Sequence, residues 1–546
     1  MNENKEKLKL CFTGLILIIY VVFNGLLLWH HAPWRDEANV WLMGRDLSPM
    51  QLLKEIKYQG HPCLWYFLVM PFAKLGLPFR TIGVLSTLVM AVAAGVYLWK
   101  APQWIGIKAL VVFSPIFTYF YPTIARNYCL VALLLVLLAW NYSERNDHPV
   151  RYGILLGLLV QSDTIAIAPA GMISLIWLVE SIWIDVGRRC GKQGCRASGY
   201  GDRVINCLKG IWIPLASLLF WILQFYQVSD SPVYELQSFG AAQLLHELRN
   251  YAYTILIRVT GWNQTACTCF FFAVLVMMLV VSFCIRNIGP MLVFLFSFLF
   301  QCVFSVMVYQ LHIWHYITLA FVFLWMLWSM EATAANIPKS VRTTQEEGSA
   351  IVKNLQTDAH SECNIYFCKT NFRKNSSWKY KLYRTSFSAL QILLGILAIA
   401  MFLHWNSDEE TSNLYQALHG SYSDGENAAE FIQENISTDD ILISTDVALD
   451  STILAYLDDY RCYYAGSGKI TSYADWSEEQ SRTISLEELL EWCRDSLPAE
   501  ECVYLIQGST SCITDGESLE QYEVIYETEG TTTRGEEYII YKITLY

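Results

Sequence analysis

The sequence predicts a polytopic α-helical membrane protein that ends in a small soluble α/β domain. Hydrophobic residues make up 54% of the 546 positions and charged residues only 16%, which is too little charge to cover a soluble protein of this length. Apolar runs of roughly 18 residues or more, the length that crosses a bilayer, recur through the first three quarters of the chain. After residue 404 the chain becomes polar and acidic.

Lysine and arginine orient the chain, because cytoplasmic loops carry an excess of both. An arrangement of eleven spans puts every basic loop on one side, including the loop 332–385 with its nine Lys or Arg. The N-terminus is then inside, and the last span leads out to residues 405–546. The eleven predicted spans are 10–29, 80–99, 106–122, 127–141, 152–162, 166–184, 210–226, 266–285, 290–309, 313–330 and 386–404. We therefore predict a multi-pass cell-membrane protein with a membrane domain over 1–404.

The first outer loop, residues 30–79, is predicted to lie on the membrane surface. Ser48-Pro49-Met50-Gln51 combines an N-cap serine, a first-turn proline and a capping-box glutamine, which predicts a short helix to about Tyr58. The apolar run Cys63–Leu75 is too short to span the bilayer, so we expect a helix at the outer interface. The same loop carries Asp36 and Glu37 soon after the first span, near headgroup depth.

The predicted topology brings further polar residues to the same outer face. Arg126 and Tyr128 follow the third span, and Asp163 follows the fifth. His312 and His315 follow the ninth span and share one helical face. Ionisable groups at membrane depth are costly and usually functional. The shared leaflet therefore predicts one reaction centre around Asp36.

Glycosyl transfer is the chemistry that would use these residues. It needs a base that takes the proton of the acceptor hydroxyl and cations that hold the departing phosphate. Asp36 is the candidate base of an inverting transfer. Arg126, with one or both of His312 and His315, would hold the phosphate or pyrophosphate. Asp163 could orient a histidine, bind the acceptor or ligate a metal. The other candidate substrate-binding residues are Arg35, Glu37, His61 and Tyr128.

A resemblance to a known family rests on three segments, Pro33–Ala38, Gly60–Tyr66 and Ala125–Tyr128. They resemble motifs of multispan glycosyltransferases with the GT-C fold, which include protein O-mannosyltransferases and the lipid A aminoarabinose transferase. The resemblance implies that Asp36 is catalytic, that the first loop holds two juxtamembrane helices and that a soluble outer domain follows the last span. The family's usual His-Pro-Pro is His61-Pro62-Cys63 here.

The donor is expected to be a sugar on a polyprenyl phosphate or pyrophosphate, transferred as a hexosyl or pentosyl group. The sequence has no Asp-x-Asp motif, so it does not indicate a metal-held nucleotide sugar, and it has no Walker A or Gly-x-Gly-x-x-Gly loop. A divalent cation could still bind at Asp36, Asp163 and His312, although no ligand spacing demands one. The acceptor stays open among a glycan, a lipid and a protein.

Two other classes of function compete with the enzyme. A transporter or flippase for lipid-linked sugars would keep polar residues near the bilayer midplane and show inverted repeats, and neither is evident. A non-catalytic assembly protein would use the acidic tail as its contact domain. The net charge of −12 and the absence of a basic soluble domain give no indication of nucleic acid as a partner.

The tail, residues 405–546, holds 30 acidic and 6 basic side chains, a net charge of −24 that leaves +12 for the rest of the chain. Its apolar patterns predict an α/β domain. The predicted helices are Asn427–Asn435 and Ser485–Arg494, and the predicted strands are Ile441–Ser444, Cys502–Gln507, Tyr522–Tyr526 and Tyr538–Ile543. Outside the cell, one or two disulfides could form among Cys462, Cys493, Cys502 and Cys512.

Overall fold

A computed structural model describes residues 2–190, 202–226, 240–335, 376–407, 413–477, 480, 482–497 and 501–545. Within this part of the chain, eight helices are long and apolar enough to cross a membrane. They cover Leu10–His30, Thr81–Lys100, Thr164–Trp183, Arg203–Phe225, Gln264–Ile285, Gly289–Met307, Ile313–Ala335 and Trp378–Ser407. The predicted polytopic helical class is confirmed. Most of the basic loop 332–385 lies outside the described residues.

The helices are numbered here in chain order among the described residues. They are α1 (Asn2–His30), α2 (Arg35–Asp46), α3 (Pro49–Glu55), α4 (Leu64–Lys74), α5 (Thr81–Lys100), α6 (Ile105–Val112), α7 (Tyr128–Asn141), α8 (Pro149–Ser162), α9 (Ile167–Cys190), α10 (Asp202–Phe225), α11 (Ala241–Thr260), α12 (Gln264–Ile285), α13 (Gly289–Met307), α14 (Ile313–Ala335), α15 (Ser376–Ser407), α16 (Leu414–His419), α17 (Gly425–Asn435), α18 (Val447–Leu454) and α19 (Leu486–Ser496). Short 3-10 turns lie at Ile56–Tyr58, Tyr142–Glu144, Thr164–Ala166 and Gly516–Gln521.

The first outer loop folds as its local signals predict. The Ser48 hydroxyl accepts a hydrogen bond from the Gln51 amide, and Gln51 Oε1 accepts one from the Ser48 amide, so the capping box forms at the start of α3. The apolar run after residue 63 is the 11-residue helix α4. This helix packs against α2, which carries Asp36. A Cβ on Gly44 would lie 3.3 Å from the Met70 backbone, a tight contact, so glycine there favours the close approach of the two helices.

The predicted third span, 106–122, is helical only over its first part, Ile105–Val112. Pro115 and Pro122 explain the difference, because proline has no amide hydrogen to donate and disfavours helical backbone in the residue before it. The chain continues in turns to the start of α7. Helices α7 and α8 are 14 residues each, shorter than a full span. The eleven predicted spans therefore correspond to eight span-length helices and three shorter ones among the described residues.

The segment 227–262, which lies between the predicted spans 210–226 and 266–285, contains the 20-residue helix α11. Its polar residues, among them Glu247 and Arg249, lower the apolar signal. The helix ends at Gly261, whose φ of +65° is the left-handed conformation of a helix C-cap.

The tail forms the predicted α/β domain around a six-stranded sheet. Its strands are β1 (Ile441–Ser444), β2 (Arg461–Tyr464), β3 (Lys469–Ile470), β4 (Cys502–Gln507), β5 (Glu523–Glu527) and β6 (Ile539–Thr544), in the order β3-β2-β1-β4-β6-β5. Strand β1 pairs in parallel with β2 and β4, whereas the β2–β3, β4–β6 and β5–β6 pairs are antiparallel. The four predicted strands are confirmed within about one residue, while β2, β3, α16 and α18 were not predicted.

The four cysteines of the tail are all free, so the suggested disulfides do not form in this structure. Cys462 on β2 lies beside Leu442 of β1, and the other neighbour of Leu442 is Tyr504 on β4. A whole strand therefore separates Cys462 from Tyr504, and Cys502 lies two residues further along β4. Cys462 and Cys502 are then more than about 9–10 Å apart, which is beyond the reach of a disulfide.

The tail docks onto the first outer loop. Helix α18 packs against α2, and Arg45 of α2 donates to the backbone oxygens of Leu454 (3.3 Å) and Leu457 (3.1 Å). On the other flank Arg80 forms a two-pronged ion pair with Glu426, with contacts of 2.9 and 2.5 Å. A planar guanidinium held this way fixes both position and orientation. The docking places the tail over the loop that carries Asp36.

Candidate active site

A cavity of about 440 Å³ lies where the first outer loop, the beginnings of α7 and α14 and the tail meet. Its walls include seven of the nine predicted site residues. These seven are Arg35, Asp36, His61, Arg126, Asp163, His312 and His315. Five stretches that are distant in sequence thus come together around Asp36.

Asp36 is the second residue of α2 and contacts Arg126 directly. Arg126 Nη1 donates a short hydrogen bond to Asp36 Oδ2, and Arg126 Nη2 lies 2.8 Å from His61 Nε2. The other carboxylate oxygen, Oδ1, lies 3.9 Å from Arg35 Nε, beyond hydrogen-bond distance. The Asp36 side chain is 26% exposed. One oxygen is therefore held by the guanidinium while the other remains available to a group in the cavity.

His61 connects Arg126 to Asp163. Its Nδ1 lies 3.1 Å from Asp163 Oδ2, and that oxygen also accepts a 2.6 Å hydrogen bond from Asn127 Nδ2. Because a guanidinium can only donate, His61 Nε2 must accept, and its ring proton then sits on Nδ1 and points to Asp163. Asp163 Oδ1 accepts from the Ile165 amide at 2.8 Å, which caps the following turn. The result is a hydrogen-bonded chain from Asp163 through His61 and Arg126 to Asp36.

Glu37 lies behind the cavity wall, contrary to its predicted role in substrate binding. Its side chain is fully buried. One carboxylate oxygen contacts His31 Nε2 at 2.9 Å and the Trp34 amide at 3.1 Å, and the other accepts from the Ala125 amide at 2.7 Å. Every oxygen thus has a protein donor, as a buried carboxylate requires. Glu37 ties the start of α2 to the segment that carries Arg126.

The two histidines differ in what remains available on their rings. His315 Nδ1 accepts from the His312 amide at 2.9 Å, so its proton sits on Nε2, which lies 2.8 Å from the Tyr128 hydroxyl. Both ring nitrogens of His315 are therefore engaged by the protein. Tyr128 does not line the cavity but hydrogen-bonds to the ring of His315. His312 lies just before α14. Burial, and next the positive charge of Arg534, lowers the pKa of His312 from its ordinary value, which disfavours its cationic form.

A residue of the tail, Arg534, also lines the cavity and was not identified from the sequence. Its Nε donates to the Tyr422 hydroxyl at 2.6 Å. Its guanidinium carbon lies 4.8 Å from the ring centre of Trp34 and 4.9 Å from that of Trp314. The one signal available in the sequence is that Arg534 is among only 6 basic residues in a tail with 30 acidic ones.

The suggested metal ligands do not form a metal site. Among the described residues, no three His, Cys, Asp or Glu side chains are grouped so that they could hold an ion. Asp36 is engaged by Arg126, and Asp163 by His61 and Asn127. These residues bond to donors of the protein instead of converging on one point.

No family model and no curated protein matches the sequence. Two solved structures of ArnT from Cupriavidus metallidurans are similar to this chain. The structure bound to undecaprenyl phosphate is 10% identical with a TM-score of 0.48, and the alignment covers 98% of this chain and 97% of that chain. The apo structure is 11% identical with a TM-score of 0.49, covering 97% and 98%. ArnT is an aminoarabinose transferase of the GT-C fold, the family that the loop motifs resemble. Because both TM-scores are below 0.5, we infer the function from the contacts within this chain.

Proposed function

We propose that this chain is an inverting membrane glycosyltransferase that moves a hexosyl or pentosyl group from a polyprenyl phosphate or pyrophosphate to an acceptor hydroxyl. The observation that carries the proposal is the environment of Asp36. Its Oδ2 is held by Arg126, its Oδ1 lies beyond hydrogen-bond distance of Arg35, and its side chain lines a cavity of about 440 Å³ that also contains cationic side chains. A positioned carboxylate next to cations is what the acceptor proton and the leaving phosphate require.

The position of the cavity along the helices supports a lipid-linked donor. Asp36 follows the span Leu10–His30 by a few residues, and His312 immediately precedes the span Ile313–Ala335. The cavity therefore lies at one end of the helix bundle, at the depth where lipid phosphates are found. A polyprenyl chain could stay in the bilayer while its phosphate reached Asp36 and its neighbours.

The proposed reaction uses Asp36 as the general base. Asp36 Oδ1 takes the proton of the acceptor hydroxyl as that oxygen attacks the anomeric carbon from the face opposite the phosphate. The bond between the anomeric carbon and the phosphate oxygen breaks, and its electron pair leaves with the lipid phosphate. The products are the inverted glycoside and the free polyprenyl phosphate, or polyprenyl pyrophosphate when the donor is a pyrophosphate, and the proton on Asp36 is later released to water. Arg126 orients the carboxylate, and Asp163 orients His61.

We place this reaction at the outer face of the membrane, with the N-terminus inside and the tail outside. The support is the distribution of Lys and Arg, since the basic loops fall on the side opposite the first loop and the tail. Contacts between the tail and the first loop require these two parts to share a side.

The rival functions fit the site less well. A transporter would bring its polar groups to the bilayer midplane, whereas Asp36, Arg126 and His312 lie at or just before helix starts. An assembly protein would keep the surface of its contact domain open, whereas this tail covers the first loop and lines the cavity. Protein in vesicles distinguishes the first rival, because a flippase would move the lipid-linked sugar without breaking a bond.

The test is the release of undecaprenyl phosphate from a panel of lipid-linked hexoses and pentoses by membranes containing the full chain. Asp36→Asn removes the base while keeping the size, so turnover should fall by about 100-fold or more. Asp46→Asn is the matched control, since Asp46 lies at the other end of α2 and does not line the cavity. Turnover by Asp36→Asn close to that of Asp46→Asn would contradict the assignment of the base.

A further inference from the structure

One wall of the cavity is formed by a loop of the C-terminal domain, residues 528–538 between β5 and β6, which we name the arginine loop. Backbone hydrogen bonds fix it against the segment 421–424. The Thr533 amide donates to the Ser421 oxygen at 3.0 Å, the Arg534 amide to the Tyr422 oxygen at 3.3 Å, and the Asp424 amide to the Glu536 oxygen at 3.1 Å. The loop is therefore held by the main chain on both sides of Arg534.

The arginine loop is also fixed to the helix that carries Asp36. Glu536 is fully buried, and its Oε1 accepts from the amide of Arg35, the first residue of α2, at 3.1 Å. Its other oxygen accepts from the Thr452 hydroxyl at 3.1 Å. The hydrogen bond from the Arg35 amide to Glu536 sets the distance between the arginine loop and Asp36. The two walls of the cavity are therefore positioned relative to each other before any ligand binds.

The side chain of Arg534 is surrounded by aromatic rings rather than carboxylates. Its guanidinium lies 4.8, 4.9 and 5.1 Å from the ring centres of Trp34, Trp314 and Tyr422. Within the described residues it has no ion pair, and its hydrogen bond to the Tyr422 hydroxyl is donated by Nε. Aromatic faces offset the cost of removing a cation from water. They leave the in-plane N–H groups of the guanidinium available, and these are the groups that bind oxyanions in pairs.

The other basic groups of the cavity are less available to an anion. Arg126 already contacts Asp36 and His61. Both ring nitrogens of His315 are engaged by protein groups. Partial desolvation, and next the positive charge of Arg534, lowers the pKa of His312, which disfavours a second positive charge there. Arg35 also lines the cavity, and its Nε lies 3.9 Å from Oδ1 of Asp36, the proposed base. Among the described residues, Arg534 is thus the half-buried arginine of the cavity that can meet a phosphate without first giving up an acidic partner.

We propose that Arg534 binds the phosphate of the lipid carrier, so that the C-terminal domain supplies part of the active site. This inference rests on the proposed function. As the bond to the sugar breaks, a phosphodiester with one negative charge becomes a phosphomonoester with two. A cation fixed beside that phosphate binds the separating charge more strongly than the donor, which accelerates the transfer. Loss of Arg534 should therefore lower kcat more than it raises KM for the donor, and it should weaken binding of the released lipid phosphate.

The test measures binding of undecaprenyl phosphate to the full-length protein in nanodiscs, together with kcat and KM for donor turnover. Arg534→Gln should weaken binding by about 10- to 100-fold, the range for one charge-assisted hydrogen-bonding group. Arg534→Lys keeps the charge inside the aromatic rings but loses the paired N–H groups, so binding should weaken by a smaller factor. Arg482→Gln is the matched control, because Arg482 is an exposed residue of the same domain that pairs with Glu488 at 2.5 Å.

The outcomes separate this inference from the proposed function. If the unaltered protein binds no undecaprenyl phosphate and releases none from any donor, both the proposed function and the role of Arg534 are overturned. If it does both, and Arg534→Gln binds and turns over like Arg482→Gln, only the role of Arg534 is overturned. An increase in KM for the acceptor alone would likewise overturn it. If Arg534→Gln does not fold, Arg534→Lys tests the inference instead. If Arg534→Lys binds undecaprenyl phosphate as tightly as the unaltered protein does, recognition by the paired N–H groups is excluded.

Discussion

Two arginines enter the cavity from opposite walls and meet different neighbours. Arg126, on the membrane side, contacts the carboxylate of Asp36 and the ring of His61. Arg534, from the tail, has three aromatic rings and a tyrosine hydroxyl around it. The difference indicates that the neighbours of a charge decide what it can do. An arginine paired with an acid positions that acid, whereas an arginine held by rings keeps its N–H groups for a ligand.

Among the changes that test this comparison, removing the ion pair of Arg126 should have the largest effect on the transfer reaction. Arg126→Gln takes away the ion pair and leaves Asp36 free to rotate, so we expect kcat to fall by about 100-fold, the cost of a misplaced catalytic group. Donor KM should change little, because on this account Arg126 positions the base. Steady-state release of undecaprenyl phosphate from the donor measures both constants.

The control for this prediction is Arg151→Gln, which removes an exposed ion pair with Glu144 elsewhere on the molecule. A rise in donor KM with kcat unchanged would show that Arg126 binds the substrate instead. The two arginines would then share one role.

A smaller effect tests the rings around Arg534. Trp314→Leu keeps an apolar side chain but removes one aromatic face, so a cation–π contribution is lost. We expect undecaprenyl phosphate to bind about 3- to 10-fold more weakly, because the guanidinium is no longer held in one orientation. Trp183→Leu, at a largely exposed tryptophan on α9, is the control. Unchanged binding by Trp314→Leu would indicate that the rings do not prepare Arg534 for the phosphate.

The smallest expected effect concerns the bond that joins the two walls. Burial raises the pKa of Glu536 from 4.5 to about 7, so the folded protein keeps a proton that the unfolded chain releases at lower pH. Its contribution to stability is therefore complete below pH 4.5 and is lost as the pH rises toward 7. Glu536→Gln, which stays neutral, should remove this decline and raise the Tm at pH 8 by roughly 2–4 °C relative to the unaltered protein.

Thermal unfolding of the solubilised chain at pH 5 and pH 8 checks this expectation. The control is Glu488→Gln, at an exposed residue of the same domain. Equal pH dependence for all three proteins would mean that Glu536 titrates normally and that burial does not set its charge.

Sequence patterns predicted the parts of this molecule that depend on local signals. The capping box at Ser48, the short helix α4 and four strands of the tail all depend on neighbouring residues, and each formed. Hydropathy alone misjudged the third span, where Pro115 interrupts an apolar run. It also missed α11, whose polar face weakens the apolar signal.

The cavity itself was predicted only in part. Topology was enough to bring Asp36, Arg126 and Asp163 to one side, because alternating spans fix which loops share a leaflet. Topology could not show that Glu37 turns away from the cavity, since its direction depends on the rotation of α2 about its axis. The place of Arg534 in the cavity could not be predicted from the sequence, because it depends on the pairing of β5 with β6 and on the docking of the whole tail.

A structure determined experimentally with undecaprenyl phosphate bound would test the central claim most directly. The account predicts phosphate oxygens within hydrogen-bond distance, roughly 2.7–3.2 Å, of the terminal nitrogens of Arg534. It also predicts that Asp36 Oδ1 faces the position of the transferred sugar. A phosphate bound outside this cavity, or one inside it with Arg534 turned away, would contradict the account.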